Sequence, residues 1–274
     1  MNRIKGLGLA LATAVSCFGA AAEAATPEEQ IDAILNLPVA QGDDLEMRLR
    51  ESGDFAVTDL DGNGRIELLF LQETQRGVPE EAEQTEIENV RSAWKHIASV
   101  PVSRKLYAYE VSVNGKRLDP VSVVFTDNEI DPNLRHVEDA YRDARRNITY
   151  YGASTLLRIG DAGYRVACQY VSLQNGALQI QTIASEFGNY GIYSEQGAPE
   201  AVFDHAEDRY GNNLSQAAFG SAASDYAAGC EERFRVHMQW YPVQELRESK
   251  LQENGMRTLL LDSWQGFSLT PQTP

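Results

Sequence analysis

Residues 54–71 read DFAVTDLDGNGRIELLFL, two apolar runs set around a short polar insert. The insert is Asp59-Leu60-Asp61-Gly62-Asn63-Gly64-Arg65-Ile66-Glu67. Oxygen-bearing side chains fall at its positions 1, 3, 5 and 9, and glycine falls at 6. A hard cation such as Ca²⁺ takes about six to eight oxygen ligands, and this spacing gathers those oxygens around one point. Gly64 lets the backbone turn where a Cβ would clash. Arg65, at position 7, is the expected backbone-carbonyl ligand. The predicted ligand set is therefore Asp59, Asp61, Asn63, Arg65 through its carbonyl, and Glu67, with Ca²⁺ as the ion. The competing reading is a plain hairpin turn with solvated acids, because Asp-Gly and Asn-Gly favour turns by themselves. An ordinary turn has no use for the carboxylate at position 9.

Asp59, Asp61, Asn63, Gly64, Ile66 and Glu67 resemble the calcium loop shared by EF-hands, dockerins and the FG-GAP repeats of integrin-like propellers. The likeness covers nine residues, 59–67, of the 274. It departs from an EF-hand at position 12, where a bidentate Glu is required and Phe70 stands. Ile66 to Leu71 suits a strand better than a second EF helix. The resemblance thus implies a strand-loop-strand site closed by Glu67. The longer string FAVTDLDGNGRIELLF resembles one found in exported bacterial proteins, which implies export but no activity.

The start of the chain agrees with export. Arg3 and Lys5 precede a small, apolar stretch from Leu7 to Ala22, and Ala22-Glu23-Ala24 forms an A-x-A cleavage site. Residues 1–24 are read as a signal peptide cleaved after Ala24, leaving a periplasmic or secreted chain. Cys17 offers an alternative lipoprotein site, but Ala14 stands where leucine is preferred and bulky Phe18 follows. No later segment is apolar for long enough to span a bilayer. The formal charge of −16 disfavours nucleic acid and anionic lipid as partners. Cleavage leaves Cys168 and Cys230, an even pair that an oxidising compartment would favour as one disulfide.

Pro27 to Leu37 reads as a helix with Thr26 as its N-cap. Further helices are predicted over 43–51, 86–97, 131–146, 199–209, 214–228 and 242–253. Strands flank the insert at 55–58 and 66–71, and a hairpin turns at Asn114-Gly115 within 106–125. Pro120 marks the return strand as irregular or at an edge. A meander follows over 155–159, 164–171 and 178–184, with one more strand at 188–193. The expected fold is α+β, an antiparallel sheet of meander and hairpins with helices at both ends of the chain. One domain is expected over residues 25–274.

Catalytic signatures are weak. His96, His136, His205 and His237 lack zinc spacing. Asp204-His205-Ala206-Glu207-Asp208 reads as a solvated helix face. Ser92-Ala93-Trp94-Lys95 matches S-x-x-K but lacks the K-T-G and S-D-N partners. The expected function is therefore a non-catalytic binding or interaction role, with protein or glycan partner open. The alternatives are a cell-envelope hydrolase with an acidic site, or a glycan-binding module using Tyr150, Tyr151, Tyr164, Tyr170, Tyr190 and Tyr193.

Overall fold

The computed structural model describes residues 25–36, 53–74, 100–113, 115, 117–126, 130–160, 162–191, 200–249 and 254–272. The expected leader and the helices expected over 43–51 and 86–97 lie outside those residues.

Helix α1 (Pro27–Asn36) starts where its capping residues place it. The Thr26 hydroxyl accepts from the Glu29 N–H at 3.3 Å, and the Glu29 carboxylate accepts from the Thr26 N–H at 2.8 Å. This reciprocal pair satisfies donors that the first turn leaves open. Strands β1 (Asp54–Thr58) and β2 (Glu67–Thr74) flank the insert and pair antiparallel, Thr58 opposite Glu67 and Asp54 opposite Leu71. Strand β3 (Ser103–Val111) joins β2, setting Glu110 opposite Glu67 and Arg104 opposite Glu73. Strand β4 (Leu118–Phe125) returns along β3. Pro120 lies opposite Tyr109, ahead of the stretch Ser122–Phe125 that takes a second neighbour. A residue without an N–H is tolerated where only one ladder runs.

The meander is longer than expected: β5 (Asp139–Asp143), β6 (Ile148–Ile159), β7 (Gly163–Gln174) and β8 (Ala177–Gly191). Then come β9 (Glu200–Asp208), β10 (Asn213–Leu214), α2 (Gln216–Tyr226), β11 (Glu232–His237) and β12 (Tyr241–Pro242). Helices α3 (Val243–Ser249) and α4 (Gly255–Gln265) and strand β13 (Ser268–Pro271) follow. The sheet order is β12-β1-β2-β3-β4-β8-β7-β6-β5-β11-β13, and β9 pairs with β8 and β10. Every pairing is antiparallel except β4 with β8. Among the described residues the fold is thus a mostly antiparallel, mixed sheet curled as a half-barrel, with four helices.

The curl gives β1, β2 and β3 two buried faces. Ala56, Leu69, Leu71, Leu106 and Ala108 point inward and meet Tyr151, Val171, Leu178 and Ile180 from the other half of the sheet. Phe55, Val57, Leu68 and Phe70 point outward onto Ile31, Val243, Leu246 and Leu260 of α1, α3 and α4. Burial on both faces accounts for the unbroken apolar run from Leu68 to Leu71.

Two expected helices are strands. Over 131–146 the chain makes a single 3₁₀ turn at Leu134–His136 and then β5. Its charges are matched across strands rather than along a helix: Arg233 meets Asp139 at 2.8 Å and Arg142 lies 3.9 Å from Glu232. Within the stretch 199–209, Glu200–Asp208 form β9, because the second half of β8 offers an open edge for them to pair with. The Asp204–Asp208 cluster is therefore on a strand. Strands β11 and β13 carry no signal that the sequence reading used. Cys168 and Cys230 are both free thiols. No described helix is long and apolar enough to cross a membrane.

Candidate metal centre

The insert forms a tight loop between β1 and β2. Gly62 and Gly64 take positive φ, 68° and 79°, conformations that a Cβ would strain. Asp59 accepts from the Asn63 and Gly64 N–H groups at 3.0 Å each. Asp61 accepts from the Asn63 N–H at 3.2 Å and from its side-chain amide at 3.0 Å. Asn63 Oδ1 accepts from the Arg65 N–H at 2.7 Å. These bonds turn the acids inward. A carboxylate oxygen from each of Asp59, Asp61 and Glu67 lies within 4.8 Å of the others, close enough to hold a metal ion. Phe70, at the position where an EF-hand needs its last ligand, is instead buried on the outer face of β2, edge-on to Tyr109.

Glu67 is the unusual member. It is 1% exposed, at the end of the inner face of β2. Its Oε2 accepts from the Leu60 N–H at 2.7 Å and from the Thr58 hydroxyl at 3.1 Å. Its Oε1 is buried and has no hydrogen-bond partner. An unpartnered carboxylate oxygen in the interior costs far more than one in water. Burial, reinforced by the negative Asp59 and Asp61, holds the Glu67 carboxyl well above the usual carboxylate range. Burial also raises Asp59, with Asp61 adding to the effect.

Three residues that the sequence reading missed hold the loop in place. Gln30 of α1, 3% exposed, donates to the Gly64 carbonyl at 2.7 Å and accepts from the Ile66 N–H at 2.9 Å. Tyr151 of β6 donates its hydroxyl proton to the Leu60 carbonyl at 2.8 Å. Glu110 of β3, 5% exposed, accepts from the Asn63 amide at 2.8 Å and pairs with the Arg65 guanidinium at 2.6 Å. Burial raises the Glu110 carboxyl, against the lowering effects of Asn63 and Arg65. A buried Glu inside an apolar strand is the signal that could have pointed to Glu110. Gln30 and Tyr151 carry none.

The five predicted ligand residues therefore all lie in one loop. The structure gathers the Asp59, Asp61 and Glu67 carboxylates, places Asn63 between Asp61 and Glu110, and turns the Arg65 side chain onto Glu110. The other candidates are dispersed. His205 contacts Asp204 at 3.0 Å and stacks on Phe187, with both His205 and Asp204 exposed. Ser92 and Lys95 lie outside the described residues. A cavity of about 770 Å³, lined by Tyr141, Arg142, Cys230, Arg233 and Phe234 among others, holds none of the loop's acids. Burial holds the Cys230 thiol above its ordinary value, which disfavours a thiolate nucleophile there. Compared with known proteins, the chain matches no family model, no curated protein and no solved structure.

Proposed function

We propose that this is an exported, non-catalytic calcium-binding protein, in which Ca²⁺ held by loop 59–67 fixes a strand-loop-strand corner of the half-barrel. The ligands are Asp59, Asp61, Asn63 and Glu67 through their side chains and Arg65 through its carbonyl. The observation that carries this reading is the buried Glu67 Oε1, which has no protein partner and sits beside two further carboxylates. A solvated turn would leave its acids in water; a hard cation would satisfy this oxygen and cancel the repulsion. An all-oxygen donor set favours Ca²⁺ over softer metals.

The two alternatives have less support. A hydrolase needs its raised carboxylates converging in a cleft, whereas Asp59, Glu67 and Glu110 are in or beneath the loop, Asp131 is buried against the Leu106 N–H and Asp54 is paired with Arg135. A glycan platform needs exposed rings, whereas Tyr151, Tyr164, Tyr170 and Tyr190 are buried. Tyr193 lies outside the described residues.

The test is thermal melting of the purified chain in chelator, then in millimolar Ca²⁺ or Mg²⁺, with calorimetric titration. For a Kd of ~0.1 mM, ~1 mM free Ca²⁺ contributes about 1.4 kcal/mol. That raises Tm by roughly 3 to 6 °C for a chain of this size. Mg²⁺ substitutes poorly because it demands a smaller octahedral shell. Asp61→Ala removes most of the shift while the turn glycines remain. Equal melts in chelator and Ca²⁺, with no heat of binding, would return the loop to a plain turn.

A further inference from the structure

The loop's fourth acid is not in the triad. Glu110 lies across the ladder from Glu67, so both project from the same face of the sheet. One oxygen of Glu110 takes both the Asn63 amide and the Arg65 guanidinium. Arg65 is thus two things at once: its backbone is at ligand position 7, and its side chain carries a positive charge to the edge of a site built for a cation. That charge is partly exposed: the Arg65 side chain is 32% exposed, whereas that of Glu110 is buried.

Resting on the calcium reading, we propose that Arg65 and Glu110 tune the affinity and charge preference of the site in opposite directions. Glu110 positions Asn63 by holding its amide nitrogen, which leaves Asn63 Oδ1 turned back into the loop. It also adds negative potential behind Glu67. Arg65 neutralises that potential and repels the incoming ion. Arg65 therefore works as a built-in brake that offsets the pull of Glu110 on the incoming cation.

The two side chains then have opposite effects, which a merely structural role would not produce. Arg65→Gln keeps the backbone carbonyl and unmasks Glu110. Ca²⁺ affinity should rise about threefold to tenfold, as expected for one unit charge several ångströms from a divalent ion at the protein surface. Glu110→Gln should lower Ca²⁺ affinity by a similar factor. The double variant should return to within about twofold of the wild type, because the two changes cancel in net charge. The logarithm of each change should be about one and a half times larger for Tb³⁺, because the Coulomb energy scales with ion charge.

The experiment is calorimetric titration of the full chain and the three variants with Ca²⁺ and then Tb³⁺, with melting in chelator to confirm that each is folded. Opposite shifts that grow with ion charge support the proposal. Wild type that binds with Arg65→Gln unchanged or weaker overturns it and leaves the calcium reading standing. Wild type that takes no Ca²⁺ overturns both. If Glu110→Gln does not fold, the Arg65→Gln result decides alone.

Discussion

Strand β2 carries a carboxylate at each end of its inner face, and the two keep opposite company. Glu73 is hydrogen-bonded by Arg104 on β3 and by Arg135, which also meets Asp54 at 2.7 Å. Burial alone would raise Glu73, but the two guanidiniums outweigh it and hold the carboxyl below its ordinary value. Glu67, six residues earlier in the chain and on the same face, has Asp59 and Asp61 for neighbours and is pushed the other way. Two acids face two bases at one end, and three acids face one another at the other. One end is closed by the protein itself. The other gathers three carboxylates close enough to hold a metal ion. A strand can thus carry the same residue type twice, once paired within the protein and once as a candidate ligand, and the neighbours decide which.

The sharpest way to break this contrast is Glu73→Gln. It leaves Arg104 without its anion and Arg135 with Asp54 alone, and removing one partner of a largely buried pair costs about 3 kcal/mol. Urea unfolding should show that loss equally in chelator and in Ca²⁺. A loss that disappears in Ca²⁺ would mean that the two ends are not independent.

Glu67→Gln should have the opposite sign. In chelator it removes a crowded anion and should stabilise the fold by about 1 kcal/mol. In Ca²⁺ the gain should vanish, and the Ca²⁺ shift itself should shrink, less than for Asp61→Ala because an amide oxygen still coordinates. Destabilisation in chelator would show that the anion is already compensated within the loop.

The smallest effect is in pH. Glu67, Asp59 and Glu110 have folded values raised above the unfolded ones. Their favourable contribution is complete below the unfolded carboxylate range, near pH 4, and is lost as pH rises through the folded values. Glu73 is lowered, so its contribution is present above the unfolded value and lost as pH falls through the folded one. Metal-free protein should therefore weaken as pH rises above about 4, and weaken again in stronger acid. Saturating Ca²⁺ should reduce the first slope to the part that Asp54 and Asp131, raised by burial outside the loop, contribute, and leave the second. Chelator melts from acid to neutral pH check this, and an unchanged first slope in Ca²⁺ would count against the loop as its source.

The loop was legible because all five residues expected as ligands are within nine positions, so covalent spacing alone fixes their relation. The flanking strands were legible for the same reason, their apolar runs ending at the polar insert. Glu110, Gln30 and Tyr151 were not. They reach the loop only through strand register and helix docking, which no local pattern encodes. The charged stretch Asp139–Asp143 read as a helix because spaced acids and bases suit one. Pairing with β6 and β11 overrode that preference, with Arg233 and Glu232 supplying the opposite charges. Segment 200–208 failed similarly: its partner on β8 is set by the neighbouring strand order rather than by its own composition.

Strand β8 is the seam of the molecule. Its first residues pair in parallel with β4, and its later ones pair with β9 on the same edge. The β1–β4 hairpins and the β5–β8 meander each gather contacts from near neighbours in sequence, so each closes short loops. The β4–β8 ladder, from Ser122 against Ala177 to Phe125 against Ile180, joins the two only after the whole β5–β7 excursion. Loop-closure entropy is therefore incurred at that four-residue ladder and again at the longer closures of β11 on β5 and β12 on β1, which raise the contact order above that of the meander junctions. The chain is organised as two locally folding ribbons stitched by β4 and β8, with its C-terminal strands returning to both, β11 to β5 and β12 to β1.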